Sequence, residues 1–200
     1  MLDVSRETQD KLALYEELIQ RWTRRINLIS SGTIEEIRSR HIDNSIWIVQ
    51  NAPIAETWLD VGSGAGLPGV VAAILRPRTR VTCVEKDRRK CEFLRTVRRE
   101  LDLDLVVIAD RLQNVEIARP DVISARALAS LETLFEMMHP HMHDATTLVL
   151  PKGQSWKSEM DLADRSWTYD LEVIDDPNNP GSALLNIGNL ERRVDEAQDL

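Results

Sequence analysis

The sequence predicts an α/β fold, with a mostly parallel sheet covered by helices, an antiparallel edge and an N-terminal helical extension. Three observations predict it. Short apolar runs alternate with segments of helical periodicity from Trp58 to Leu150. The first run, Thr57-Trp58-Leu59-Asp60-Val61, leads into glycines at 62, 64 and 66 and then into an apolar helix. The last two apolar runs face each other across Asp176-Pro177-Asn178-Asn179-Pro180-Gly181, a turn sequence suited to an antiparallel pair.

The elements follow in order. Ser5 caps a helix through about Ile26, whose Leu12, Tyr15, Ile19, Trp22 and Ile26 form one apolar stripe. Thr33-x-x-Glu36 is a capping-box pattern that opens a second short helix, and Asn44 to Val49 makes a third. Trp58–Val61 is the first strand and Val70–Leu75 the first covering helix. Arg80–Glu85 is the second strand. Asp87 then caps a helix that buries Cys91, Leu94, Val97 and Leu101. Leu105–Ala109, Val122–Ala125 and Thr146–Leu150 are strands three to five, with helices over Ser130–Met138 and Gln154–Asp164. Trp167–Val173 and Ala183–Ile187 close the sheet. The division expected is a helical extension over 1–52, a core domain over 53–194 and a frayed tail over 195–200.

Composition narrows the class. A chain of 200 residues suits one domain with a small extension. There is no apolar run of the roughly 18 residues a membrane helix needs. The polar start MLDVSRETQD lacks a signal-peptide core, so a cytoplasmic location is expected. Cys83 and Cys91 are the only cysteines and read as buried thiols, and no cluster suggests a metal. The net charge of −8 argues against a general nucleic-acid binder, yet Arg76 to Arg99 holds ten Lys or Arg against three acids. Arg76, Arg78, Arg88, Arg89, Lys90, Arg95, Arg98 and Arg99 of that run, with Arg21, Arg24 and Arg25, form the candidate basic surface.

Ligands of such sheets bind beyond the carboxyl ends of the strands. The spacing G-x-G-x-G puts Leu67 where dinucleotide enzymes have their third glycine, and there is no Tyr-x-x-x-Lys pair, which disfavours a nicotinamide oxidoreductase. The loop of Gly62, Gly64, Gly66 and Leu67 resembles that of the Rossmann-like S-adenosylmethionine-dependent (class I) methyltransferases. Glu85 arrives about 20 residues after the glycines, where a ribose-binding carboxylate belongs. Asp110, Leu112 and Gln113 follow the third strand, where that class holds the adenine. Asp110 reads equally as an acceptor for the adenine amino group or as a helix cap.

Strand four ends in Arg126-Ala127-Leu128-Ala129-Ser130-Leu131. With Trp22-x-x-x-x-Asn27-Leu28, Arg40-His41-Ile42-Asp43-Asn44-Ser45 and Lys152-Gly153, this segment resembles the ribosomal RNA methyltransferases of the glucose-inhibited division protein B family, in the same order. The resemblance implies transfer of a methyl group from S-adenosylmethionine to a guanine N7 of small-subunit (16S) ribosomal RNA, free or in a ribosomal particle. It matches Gly62, Leu67, Leu112, Gln113 and Arg126 to cofactor contacts and sets Arg111 beside them. Asn44 departs from it, standing where the family has Asp.

No paired carboxylates or Ser-His-Asp set is evident, and none is needed, because guanine N7 carries a lone pair and no proton. Arg126 suits the cofactor carboxylate, an RNA phosphate or the guanine O6 edge. Arg126 and Lys152 are positioning candidates, and His41, Ser45, Arg111 and Lys152 are substrate-side candidates. For His41 a packing role is an equal alternative. Trp22, Trp47 and Trp58 fall in apolar patterns and are expected in the core. A monomer is expected. The competing readings are a methyltransferase of the same fold acting on a small molecule or protein, and a non-catalytic cofactor-sensing or RNA-binding module.

Overall fold

The computed structural model describes residues 5–193, so the tail expected at 195–200 lies outside the described residues. Helix α1 (Arg6–Thr23) starts where the Ser5 hydroxyl accepts from the Thr8 backbone N–H. It buries Leu12, Tyr15, Leu18 and Ile19, and it ends three residues earlier than expected, in turns that close on the Trp22 carbonyl. The second helix is not an α-helix. A 3₁₀ segment runs from Ser31 to Glu36, and wide, π-type turns follow over Ile37–Asp43. Ile37 and Ile42, five residues apart, are both buried, and only the wider turn brings residues at that spacing inward together. These turns run on into α2 (Asn44–Asn51).

The sheet contains β1 (Thr57–Val61), β2 (Arg80–Val84), β3 (Leu105–Ile108), β4 (Val122–Ala125), β5 (Thr147–Lys152), β6 (Trp167–Asp175) and β7 (Ala183–Arg192), in the order β3-β2-β1-β4-β5-β7-β6. Strands β1 to β5 are parallel, and β7 runs antiparallel to both β5 and β6. Interposed are α3 (Gly69–Leu75), α4 (Arg88–Glu100), α5 (Leu131–Met138) and α6 (Trp156–Ala163). The last two strands extend beyond their expected ends, because each pairs along most of its length with the other.

Alternate side chains of β1 serve two apolar layers. Trp58 joins a cluster with residues of α1, α2, α3 and α4, whereas Leu59 and Val61 join one with α5, α6 and Trp167. The N-terminal helices therefore share a core with one face of the sheet. Among the described residues no helix is long and apolar enough to cross a membrane.

Two polar clamps hold the strand starts, at the rim opposite the glycine loop. The Asp121 carboxylate accepts from the backbone N–H groups of Glu56 and Thr57 and from the Thr57 hydroxyl. The Arg76 guanidinium donates to the carbonyls of Val49, Ala52 and Pro53 and stacks over Trp58. Arg76 therefore leaves the expected basic surface, since its charge is spent on backbone carbonyls. Arg78 and Arg80 line a cleft at this same rim, away from the candidate site.

Candidate functional site

Strand order reverses between β1 and β4, and Val61 lies level with both Val84 and Ala125, so three strands end along one rim. This is the crevice where open α/β sheets take ligands. Two clefts open there and share Arg126 and Ala127.

The first cleft has a volume of about 460 Å³ and is lined by Gly62, Glu85, Leu112, Gln113, Arg126 and Leu128, among others. Gly62 has φ of +65°, and a Cβ on it would come within 2.8 Å of Leu128 Cδ1. The Glu85 carboxylate is buried. It accepts from the Gly64 N–H at 2.9 Å through one oxygen and from the Asp87 N–H at 2.8 Å through the other. A carboxylate has about four acceptor positions, so each oxygen keeps one more. Leu112 is buried and forms an apolar wall, and Gln113 is exposed beside it.

Asp110 and Arg111 also line this cleft. One Asp110 oxygen accepts from the Arg111 N–H and the Asn114 amide, which depresses its pKa. Asp110 does not cap the following turn, whose N-cap is Arg111 without a side-chain hydrogen bond, so the expected capping role is not seen. Gly66 and Leu67 do not line the cleft. A Cβ on Gly66 would strike Val70 and Leu94, and Leu67 is buried in the core beneath the loop. Gly64 uses its N–H on Glu85. These three residues shape the loop from behind.

The second cleft, about 740 Å³, is lined by Arg40, His41, Asn44, Trp47, Lys152 and Asp176, among others. Arg126 stands between the two clefts. It donates to His41 Nδ1 at 2.9 Å and to the Arg40 carbonyl, while its buried Nη1 has no hydrogen-bond partner. Partial burial, then the charges of Arg126 and Arg40, push the His41 pKa down to about 4, so the ring is neutral at pH 7. Lys152 is tied to Glu159 at 2.6 Å and to the Ala129 carbonyl at 3.1 Å.

Ser45 is a correction. It lies on the inward side of α2, wholly buried among Ile42, Ile46 and Ile48, and does not line the cleft. Trp47 is the opposite correction, because it is half-buried and lines the cleft rather than sitting wholly in the core. Trp58 is buried as expected, and Trp22 packs edge-on against Phe93.

Three features of the site went unread in the sequence. Asp60 is fully buried and accepts from the Ser124 hydroxyl at 2.7 Å, with Trp58 Nε1 donating to that hydroxyl. Burial pushes the Asp60 pKa up to about 6, against the opposing pull of Ser124, Ser63, the Gly69 N–H and Arg126. A charged residue inside an apolar strand was the available signal. Asp176 organises the β6–β7 turn, with hydrogen bonds from the Asn178 N–H and the Asn179 amide. Ala127, shared by both clefts, has φ of +51°, a conformation disfavoured for any residue with a Cβ. Among the described residues no group of three or more His, Cys, Asp or Glu could hold a metal ion.

Comparison with known proteins agrees with this geometry. The GidB family model, described as rRNA small subunit methyltransferase G, matches residues 8–176. The ribosomal RNA small subunit methyltransferase G of Ruegeria sp. (strain TM1040) is 40% identical over 195 residues, 96% of this chain and 95% of that one. The protein of the same name from Jannaschia sp. (strain CCS1) is 42% identical, covering 91% of this chain and 89% of its own. In structure, M. jannaschii TYW2 in complex with AdoMet matches with a TM-score of 0.58 at 15% identity, covering 82% of this chain and 78% of that one. The mitomycin 7-O-methyltransferase MmcR matches with a TM-score of 0.62 at 10% identity, covering 91% and 67%. These two likenesses establish the class I methyltransferase fold. A family match over most of the chain, with relatives aligned almost end to end, places the protein: it belongs to the ribosomal RNA small subunit methyltransferase G family.

Proposed function

We propose that this chain transfers a methyl group from S-adenosylmethionine to N7 of a guanine in small-subunit ribosomal RNA. The observation that carries the reading is the pair of adjoining clefts that share Arg126 and Ala127 at the switch point of the sheet. A donor and an acceptor held on either side of one residue need only be aligned for transfer.

The smaller cleft suits the cofactor. Its volume falls in the ordinary range for small-molecule sites, roughly 300–1,000 Å³. A Cβ at Gly62 would crowd it, and the remaining acceptor positions of Glu85 suit the two hydroxyls of a ribose. Leu112 and Gln113 offer an apolar wall and a polar rim for the adenine. The unpartnered Arg126 Nη1 is a donor for a carboxylate. When bound, the cofactor supplies an electrophilic methyl group on a sulfonium.

The rest falls to positioning. Guanine N7 attacks through an in-plane lone pair and releases no proton, so no general base is required. That accords with a neutral His41 and a Lys152 already committed to Glu159. Arg126 keeps the acceptor side and the donor side in register. The exposed cations of α4, joined by Arg24 and Arg25 of the α1 end, give phosphates a surface beside the clefts.

The test is methyl transfer from labelled S-adenosylmethionine to small ribosomal subunits lacking the modification, followed by nucleoside digestion. Labelled 7-methylguanosine is the expected product. Label in protein or in a solvent extract would overturn the RNA reading, and a different methylated nucleoside would overturn N7.

A further inference from the structure

The second cleft contains a polar wall that the methyl transfer itself does not explain. Asp176, at the end of β6, is buried, and its carboxylate gathers three donors. One oxygen accepts from the Asn178 N–H at 2.9 Å. The other accepts from the Asn179 amide at 2.8 Å and from the Asn44 amide, across from α2, at 3.3 Å. All three of Asn44, Asp176 and Asn179 line the cleft.

A carboxylate only accepts, so both amides must turn their NH₂ groups toward it. The amide orientations follow from that chemistry rather than from an arbitrary choice between oxygen and nitrogen. Both amide oxygens are thereby left as acceptors, beside a carboxylate that also accepts. A cleft wall made of acceptors suits a ligand edge made of donors. Among the RNA bases, the Watson–Crick edge of guanine carries two adjacent donors, N1–H and the 2-amino group. Adenine presents an acceptor at N1 and would meet this wall with unpaired, repelling lone pairs.

Two further observations suit a base. Trp47 is half-buried on α2 while Ile46, Ile48 and Val49 around it are buried, and it is a lining residue of the same cleft. An aromatic face beside edge-reading polar groups is how enzymes hold an extruded base. His41, which contacts Arg126, precedes Asn44 by three positions, where the π-type turns run into α2. The acceptor wall and Arg126 line the same cleft, and Arg126 stands where the two clefts meet. A guanine read on its N1 and N2 edge keeps N7 uncovered.

We propose that this cleft is the acceptor-base site and that the Asn44–Asp176–Asn179 wall, with Trp47 as stacking face, selects guanine by its Watson–Crick donors. The inference rests on the methyltransferase reading above and adds which residues choose the base. It also gives a reason for Asn44. An aspartate there would put a second carboxylate against Asp176, so in this chain the acid stands on the β6–β7 turn and the amide on α2.

The test reads binding, not transfer. Protein labelled with ¹⁵N and saturated with S-adenosylhomocysteine is titrated with guanosine, inosine and adenosine monophosphates to about 10 mM, the scale of weak, millimolar affinity. Guanosine monophosphate is expected to shift the Asn44 and Asn179 amide signals and the Trp47 indole N–H. It should bind at least tenfold more tightly than the adenosine nucleotide, with inosine monophosphate, which lacks the 2-amino group, between them. Trp47→Leu should weaken all three alike. Asp176→Asn frees the amides to turn and should collapse the guanosine-to-adenosine ratio while binding to the indole persists. Equal shifts from all three nucleotides, shifts confined to other residues, or no shift at all would overturn the proposal. Selective guanosine binding in a protein that methylates no RNA would sink the reaction and keep the site. Formation of 7-methylguanosine by a protein with an unselective cleft would do the reverse.

Discussion

The Tyr15 hydroxyl donates a 2.6 Å hydrogen bond to the carbonyl of Ala65, fifty positions away, at the tip of the glycine loop. Tyr15 is wholly buried on α1, and burial pushes its pKa up, so the phenol stays a donor. The N-terminal extension thus reaches through the core to hold the backbone of the glycine loop, beside the proposed cofactor cleft.

Tyr15→Phe tests that strut. It removes the donor and leaves a buried carbonyl unpaired, a loss of about 1–3 kcal/mol. The expected outcome is a lower urea midpoint together with a raised dissociation constant for S-adenosylmethionine by calorimetry. A stability loss with unchanged cofactor affinity would show that the loop keeps its shape without α1.

The glycines of the loop separate into two kinds. A Cβ on Gly69 would sit 2.7 Å from Asp60 Cβ and 2.8 Å from its Oδ2, and Asp60 is held by Ser124 with no room to yield. A Cβ on Gly62 meets Leu128, a 40% exposed side chain that can swing aside, although the positive φ still strains it. Gly69→Ala should therefore lower the melting temperature strongly, on the scale of about 1–3 kcal/mol for overpacking. Gly62→Ala should cost less stability and act mainly on cofactor affinity. Thermal melts and calorimetry on both variants check the contrast.

Two groups beside Arg126 titrate against each other. In the folded chain Asp60 holds its proton more tightly than its ordinary value of 3.8, up to about 6, so its contribution is full below 3.8 and is lost as pH rises through 6. The size is about 3 kcal/mol at most. His41 holds its proton less tightly than its ordinary 6.5, down to about 4, so its contribution is present above 6.5 and is lost as pH falls through 4. The slopes oppose each other in one window. Asp60→Asn should leave stability that rises with pH between 4 and 6.5, and His41→Gln stability that falls. Urea midpoints across that range decide it, and two variants with parallel curves would refute the pairing.

Fold and rim were readable because both depend on local pattern. Alternating apolar runs set the parallel strands, the Asp176–Gly181 turn set the antiparallel edge, and each strand end pointed to one crevice. What escaped depends on contacts distant in sequence. Ser45 and Trp47 sit two residues apart on one helix, and only the packing of α2 against the core decides that one is buried and the other lines a cleft. Arg76 looks like its neighbours in a basic run until Val49, Ala52 and Pro53 close on it. Asp176 becomes part of a site only because β7 returns it to Asn44.

The basic run resolves into two surfaces with different expected behaviour. Lys90 lines both the first cleft and a smaller cleft formed with Arg25 and Arg89, so it stands between the proposed cofactor site and a cationic face. Arg89 is partly matched by Asp87 at 3.3 Å, whereas Arg78 lies at the opposite rim of the sheet. If phosphates of the substrate RNA follow this face, Lys90→Gln should raise KM for small ribosomal subunits and flatten its dependence on salt by about one charge equivalent. It should leave kcat near the parent value, because the ammonium positions backbone and not the reacting base. Arg78→Gln should change neither. Steady-state rates over a salt series make the comparison direct, and equal effects from the two substitutions would mean that net charge, not a located contact, sets the affinity.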